Sequence, residues 1–203
     1  MNASIAKRRR QGSVTFADFC TLVQPGQKAD LIDGAIFLDP CESPRNNLLF
    51  GWLMSLMNGW ASETDAGRMF ASRVAFKIDN RNAPEPDLGF VRRGRLRCVK
   101  QDHVVGPPDL ALEIVAPESV ERDYDLKFKL YERAGVSEYW IVDPDFQDVL
   151  AYRLGTTGKY RRVPLANRRI RSQAMPGFWL APAWLWSKAE PCAVDALNEI
   201  LAS

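Results

Sequence analysis

The run Leu110-Ala111-Leu112-Glu113-Ile114-Val115 constrains this chain more than any other stretch. A nearly continuous apolar segment of that length suits a central β-strand covered on both faces. One carboxylate interrupts it. Burying an ionised glutamate among Leu, Ile and Val costs several kcal/mol unless a cation or hydrogen bonds compensate. Glu113 therefore either meets an interior partner or turns to solvent at a strand edge.

The rest of the chain supplies elements around such a strand. Thr15 can cap a short helix from Phe16 to Val23 that ends at Pro25-Gly26. Ala29 to Ile32 and Ala35 to Leu38 flank Asp33-Gly34, a hairpin signal because both residues tolerate positive φ. Ser43-Pro44 opens a core helix with Leu49, Leu53, Leu56 and Trp60 at three- and four-residue spacing. Val74, Phe76 and Ile78 alternate with Arg73, Ala75 and Lys77 and predict a half-buried strand. Pro86-Asp87 leads into another at Leu88 to Val91. Arg122 to Ala134 reads as a helix closed by Gly135, and Tyr139 to Val142 as a central strand ended by Asp143-Pro144. Val149 to Leu154 and Lys159 to Val163 form a second hairpin pattern. The Trp- and Pro-rich stretch from Phe178 to Trp186 is expected to cover one end of the sheet. Strands alternating with helices predict an α/β fold with a mixed sheet flanked by helices.

A chain of 203 residues fits one domain, taken as residues 13–203 behind a flexible basic arm at 1–12. No apolar run reaches the ~18 residues that span a bilayer, and no apolar segment follows Lys7-Arg8-Arg9-Arg10, so no export signal is read. The four cysteines form no Cys-x-x-Cys pair, which gives a reducing cytoplasm as the expected compartment. The single histidine, His103, removes two-histidine metal sites. Chemistry here falls to carboxylates, lysine and a metal. A net charge of +2 does not define a polyanion partner. Local clusters do more, chiefly Arg92, Arg93, Arg95, Arg97 and Lys100, and then Arg161, Arg162, Arg168, Arg169 and Arg171. Each can contact phosphates or simply form a solvated face.

Asp87 heads a strand, where a short carboxylate can either enter a cleft or cap a turn. With Glu113 on a neighbouring strand, it could share a hard divalent cation such as magnesium. At about 100° per residue, Leu126, Leu130, Ala134 and Tyr131 define an apolar arc on the predicted helix, and Lys127 falls inside it while Lys129 falls outside. Lys127 is thus directed at the sheet, although a local pair with Asp123 would also satisfy it. Two carboxylates and an inward lysine suit phosphodiester hydrolysis, with lysine positioning or deprotonating water.

Pro86-Asp87, Leu112-Glu113-Ile114-Val115-Ala116-Pro117, Arg122-Asp123 with Lys127 and Tyr131, Ala134-Gly135-Val136, and Glu138-Tyr139-Trp140-Ile141-Val142-Asp143-Pro144 together resemble the Uma-two family of restriction-endonuclease-like proteins. Leu31-Ile32-Asp33-Gly34 and Pro176-Gly177 extend the likeness over most of the chain. The resemblance implies a PD-(D/E)XK nuclease core preceded by an N-terminal hairpin. It also implies magnesium, replaceable by manganese, and cleavage of DNA. Asp87 and Glu113 would be metal ligands together with the Ile114 carbonyl, Asp30, Asp123 and Tyr131 would be accessory, and Lys127 would be the displaced lysine, since Val115 stands where that lysine usually lies.

Asp30 replaces a common glutamate and Asn46 a common histidine, and asparagine cannot do a histidine's proton chemistry. Two functions follow. One is a magnesium-dependent endonuclease on DNA, acting as a homodimer with Arg92 to Arg97 on phosphates, without heme, flavin, nucleotide or membrane. The other is a nucleic-acid-binding or regulatory protein of the same fold with little turnover.

Overall fold

Local signals near the start of the chain are realised closely in the computed structural model, which describes residues 13–39, 43–187 and 191–203. The expected arm at 1–12 lies outside these residues. Helix α1 (Phe16–Leu22) starts at a capping box: Asp18 N–H donates to Thr15 Oγ1, and Thr15 N–H donates to the Asp18 carboxylate. Strands β1 (Ala29–Ile32) and β2 (Ala35–Leu38) pair antiparallel around Asp33 and Gly34, at φ +49° and +73°. Both left-handed values match the twist that a two-residue hairpin needs. Helix α2 (Pro44–Glu63) begins as Ser43 Oγ accepts the Asn46 N–H at 3.1 Å.

The next segment departs from expectation. The strand predicted around Val74 to Ile78 shrinks to β4 (Phe76–Lys77), and a longer strand, β3 (Gly67–Ala71), precedes it. Arg73 adopts φ +72°, which breaks the extended chain between them. Strand β5 (Leu88–Arg92) follows, then a 3₁₀ segment at Arg93–Cys98 and the short β6 (Val104–Val105), which pairs parallel with β4.

Strand β7 (Leu110–Ile114) is buried throughout. It is connected through a π-helical turn at Arg122–Lys127 and helix α3 (Phe128–Ala134) to its parallel neighbour β8 (Glu138–Asp143). Gly135 caps α3 at φ +79°. Strands β9 (Asp148–Leu154) and β10 (Tyr160–Arg162) complete a six-stranded mixed sheet in the order β10-β9-β8-β7-β5-β3, with every pair antiparallel except β7 and β8.

Alternation divides the sheet into two faces. Leu110, Leu112 and Ile114 join Leu49, Leu53, Leu56, Met57 and Trp60 of α2 in the largest core. Ala111 and Val115 join Tyr131, Val136, Tyr139 and Ile141 on the α3 side. Glu113 shares the parity of Ala111 and Val115, so it belongs to the α3 side. The final segment differs from the expected lid over one end of the sheet. Strands β11 (Ile170–Arg171) and β12 (Trp179–Leu180) pair with each other, and Phe178 and Trp179 sink into the α2 core, with the Phe178 ring 5.8 Å from that of Trp60. Helix α4 (Ala193–Leu201) packs on α2, where Gly59 leaves room for Leu197.

Candidate active site

Register brings the two expected carboxylates together. Leu88 of β5 lies opposite Leu112 of β7, so one further step sets Asp87 across from Glu113. At that step side chains replace the backbone ladder. Asp87 Oδ2 accepts the Ile114 N–H at 2.7 Å, and Glu113 Oε2 accepts the Asp87 N–H at 3.3 Å. Both carboxylates are buried, Glu113 at 1% exposure, so it does not turn to solvent at a strand edge.

Lys127 is fully enclosed, and its Nζ lies 2.8 Å from Glu113 Oε1, 3.1 Å from Asp30 Oδ2 and 3.8 Å from Asp123 Oδ1. The local Asp123–Lys127 pair and the long-range pair are therefore both present, with the long-range partners closer. A π turn bonds residues five apart and brings them nearly into register along the helix. Arg122 and Lys127 consequently converge on one carboxylate, with Arg122 Nε 3.3 Å from Asp30 Oδ2. An uninterrupted α-helix would splay them. Tyr131, one turn beyond Lys127, donates its hydroxyl to Glu113 Oε1 at 3.0 Å. Asp123 accepts the Ser119 hydroxyl at 2.5 Å.

Hairpin β1–β2 delivers Asp30 to this cluster. Reciprocal backbone bonds between Leu31 and Ala83 dock the hairpin beside Glu85, and the Glu85 N–H donates to Asp30 Oδ1 at 2.8 Å while Glu85 Oε2 accepts the Ala29 N–H at 3.1 Å. Two residues absent from the sequence-based set also come in. Lys28 Nζ lies 2.5 Å from Asp87 Oδ1 and 3.2 Å from Asp39 Oδ2, and Arg122 also pairs with Asp39. Lys28 precedes β1 and belongs to no periodic pattern, so sequence carried no signal for it. Asn46 donates its amide to the Val115 carbonyl at 3.0 Å and ties α2 to the end of β7.

These groups border a cleft of about 870 Å³ lined by Lys28, Asp39, Asp87, Glu113, Arg122 and Asp123, with Asn46 and Arg73 nearby. Burial raises Glu113 to about 8 against the pull of Lys127, and raises Asp123 to about 6 against Lys127 and Arg122. Burial alone would lower Lys127, but Asp30, Glu113 and Asp123 outweigh it and hold the lysine well above its ordinary value. The same balance, set by Asp87, Glu113 and Asp39, keeps Lys28 charged. The carboxylates around Lys127 therefore favour its ammonium form.

Asp30, Asp39, Asp87, Glu113 and Asp123 share Lys28, Arg122 and Lys127, so the acids outnumber the cations. Among the described residues no three His, Cys, Asp or Glu side chains gather into a metal cage. The residues nevertheless fit a hard divalent ion that takes one or two carboxylates and retains water, as magnesium does. Asp87 and Glu113 would hold it.

Arg92, Arg93, Arg95 and Arg97 lie at or beyond the other end of β5 from Asp87. Arg92 and Arg95 converge on buried Asp109, with nitrogens 3.6 and 2.9 Å from its Oδ1, and Arg93 pairs with Asp65. Arg97 is exposed. No described helix is long and apolar enough to cross a membrane.

Comparison with known proteins agrees with this fold. A crystal structure of a putative nuclease belonging to DUF820, from Anabaena variabilis ATCC 29413, superposes with a TM-score of 0.66 at 16% identity, covering 92% of this chain and 99% of that one. No curated protein matches the sequence. The model of the Uma2 family, described as putative restriction endonuclease, matches residues 15–183. The chain belongs to the Uma2 family.

Proposed function

We propose that this protein is a metal-dependent endonuclease that hydrolyses phosphodiester bonds in DNA. The observation that carries the reading is the pairing of Asp87 with Glu113 across β5 and β7, with Lys127 2.8 Å from Glu113, beside an open cleft. A divalent ion bound there would act as a Lewis acid toward phosphoryl oxygens and lower the pKa of water.

The chain's own residues prepare that site. Lys127 is enclosed, so it acts through Glu113: its charge opposes the protonation that burial favours and draws the carboxyl towards its anionic form. It is a positioning residue in this reading, in keeping with its enclosure and with the three carboxylates that favour its charged form. Tyr131 fixes the same Glu113 oxygen, and the Ile114 N–H fixes Asp87. The Ile114 carbonyl is a further candidate ligand. Asp30 and Asp123 keep Lys127 in place. Arg122 and Lys28 border the cleft as cations for a phosphate, while Arg97 and Arg93 would meet phosphates further along a duplex. Cleavage of both strands by a protein with one site is simplest in a homodimer.

Plasmid nicking with magnesium or manganese tests the assignment. Wild type should nick DNA, Asp87→Asn and Glu113→Gln should lose at least about a hundredfold in rate, consistent with removal of groups that organise the reacting charge. Lys127→Met should lose activity but recover part of it at higher pH, where Glu113 ionises without help. A recovery of that kind separates positioning through Glu113 from simple misfolding.

Lys28 favours a second reading, a nucleic-acid-binding protein with little turnover, because an ammonium already rests on Asp87. Inactive wild type across metals and substrates, with intact DNA binding, would select it.

A further inference from the structure

The position of Lys28 has a consequence beyond binding phosphate. Asp87 offers two oxygens. Oδ2 is held by the Ile114 N–H at 2.7 Å, and Oδ1 faces the Lys28 ammonium at 2.5 Å. The oxygen left for a hard cation therefore already has a positive charge set against it. Lys127 differs: it is fully enclosed and reaches Glu113 through Oε1, while Oε2 accepts the Asp87 N–H at the longer distance of 3.3 Å. Lys28 keeps 19% of its side chain exposed and has a second carboxylate, Asp39, at 3.2 Å. It can leave one acid without losing the other.

We infer that Lys28 is a displaceable counter-ion of Asp87, which a divalent cation binding at Asp87 and Glu113 must move off Oδ1 and onto Asp39. The inference rests on reading that acid pair as a cation site. An ammonium and a divalent ion on one carboxylate oxygen repel each other, so each weakens the other's hold by the same factor. Lys28 organises the carboxylate while the site is unloaded. After the exchange its charge stands beside Arg122 in the cleft, where both face the position open to a phosphate. Loading with the metal thus becomes linked to affinity for an anionic backbone.

Manganese titration followed by electron paramagnetic resonance reads this without catalysis. Lys28→Met should bind Mn2+ about tenfold more tightly than wild type, within the usual range of coupling between two ligands. Asp39→Asn should weaken Mn2+ binding in the wild-type background, because Lys28 loses its alternative partner, and should do so much less in the Lys28→Met background. Circular dichroism checks that each variant folds. Lys28 can also be followed in the unaltered protein: its ammonium signal in nitrogen-15 NMR should move on saturation with Mg2+. A folded Lys28→Met protein with unchanged or weaker Mn2+ affinity overturns the exchange but leaves the acid pair as a cation site. A Lys28 signal unmoved at Mg2+ saturation does the same. Absence of saturable Mn2+ binding in every form overturns both the exchange and the nuclease reading.

Discussion

Glu85 shows how a buried acid shapes the behaviour of this site without lying in its cleft. Burial raises its carboxyl to about 7, opposed by the Ala29 N–H and by Lys28 and Lys127, and assisted by Asp30. Folded Glu85 thus holds a proton that the unfolded group, near 4.5, has released. Its contribution to stability is complete below about 4.5 and is lost as pH rises to about 7. Glu85→Gln should remove up to about 3 kcal/mol of this pH dependence, measured as a flatter melting temperature between pH 4.5 and 7. A slope identical to wild type would show that Glu85 titrates normally. Lys127 marks the other extreme. Lys127→Met leaves Glu113 and Asp30 facing each other without their cation, a loss of about 3–5 kcal/mol for a broken buried pair. Urea unfolding should show the full deficit only well above pH 8 and a smaller one below it, where Glu113 takes up a proton.

At the scale of elements, the features readable from sequence were those set by neighbours in the chain. Asp33-Gly34 specified its hairpin, Ser43-Pro44 its helix start, and the arc holding Leu130, Tyr131 and Lys127 the direction of the lysine. Glu113 declared itself by being a carboxylate in an apolar strand. What sequence did not disclose depends on distant contacts. Lys28 meets Asp87 59 residues away. The π turn at Arg122–Lys127 has no glycine or proline to announce it, and it is the carboxylate of Asp30 that gives Arg122 and Lys127 a common target. Strand β4 is too short for its alternation to be realised, and α4, with Ala196 and Ile200 buried four apart, carried a pattern that its brevity concealed. Gly89 adds a constraint of the same long-range kind. A Cβ there would stand 2.6 Å from the Phe76 ring, between β5 and β4. Gly89→Ala should cost about 1–3 kcal/mol in chemical denaturation, the usual penalty for overpacking, and should disturb Asp87 two residues upstream. An unchanged midpoint would mean that β4 yields freely.

Across the whole molecule, charge is partitioned between the two ends of β5. Asp87 lies at one end beside the cleft, whereas Arg92 and Arg95 hold Asp109 at the other. At the arginine end, exposed Arg97 and paired Arg95 should respond differently to mutation. Arg97→Ala should weaken DNA binding uniformly across sequences and reduce the slope of log affinity against log salt by about one, as loss of a phosphate contact does. Arg95→Ala should lower thermal stability instead, because Asp109 is buried and loses its nearest cation. Fluorescence anisotropy over a salt series, set beside melting curves, distinguishes the two. The docking of the N-terminal hairpin also bears on how the protein is made. Asp39 finds Arg122 only 83 residues later in the chain. During synthesis the hairpin leaves the ribosome well before its partners, and the acids it carries wait in water until the π turn arrives. Assembly of the cleft is then a late event, governed by loop closure over a long span and not by the speed of the local turn. A nascent chain arrested before residue 122 would hold four of the five acids, and of the three cations that balance them only Lys28.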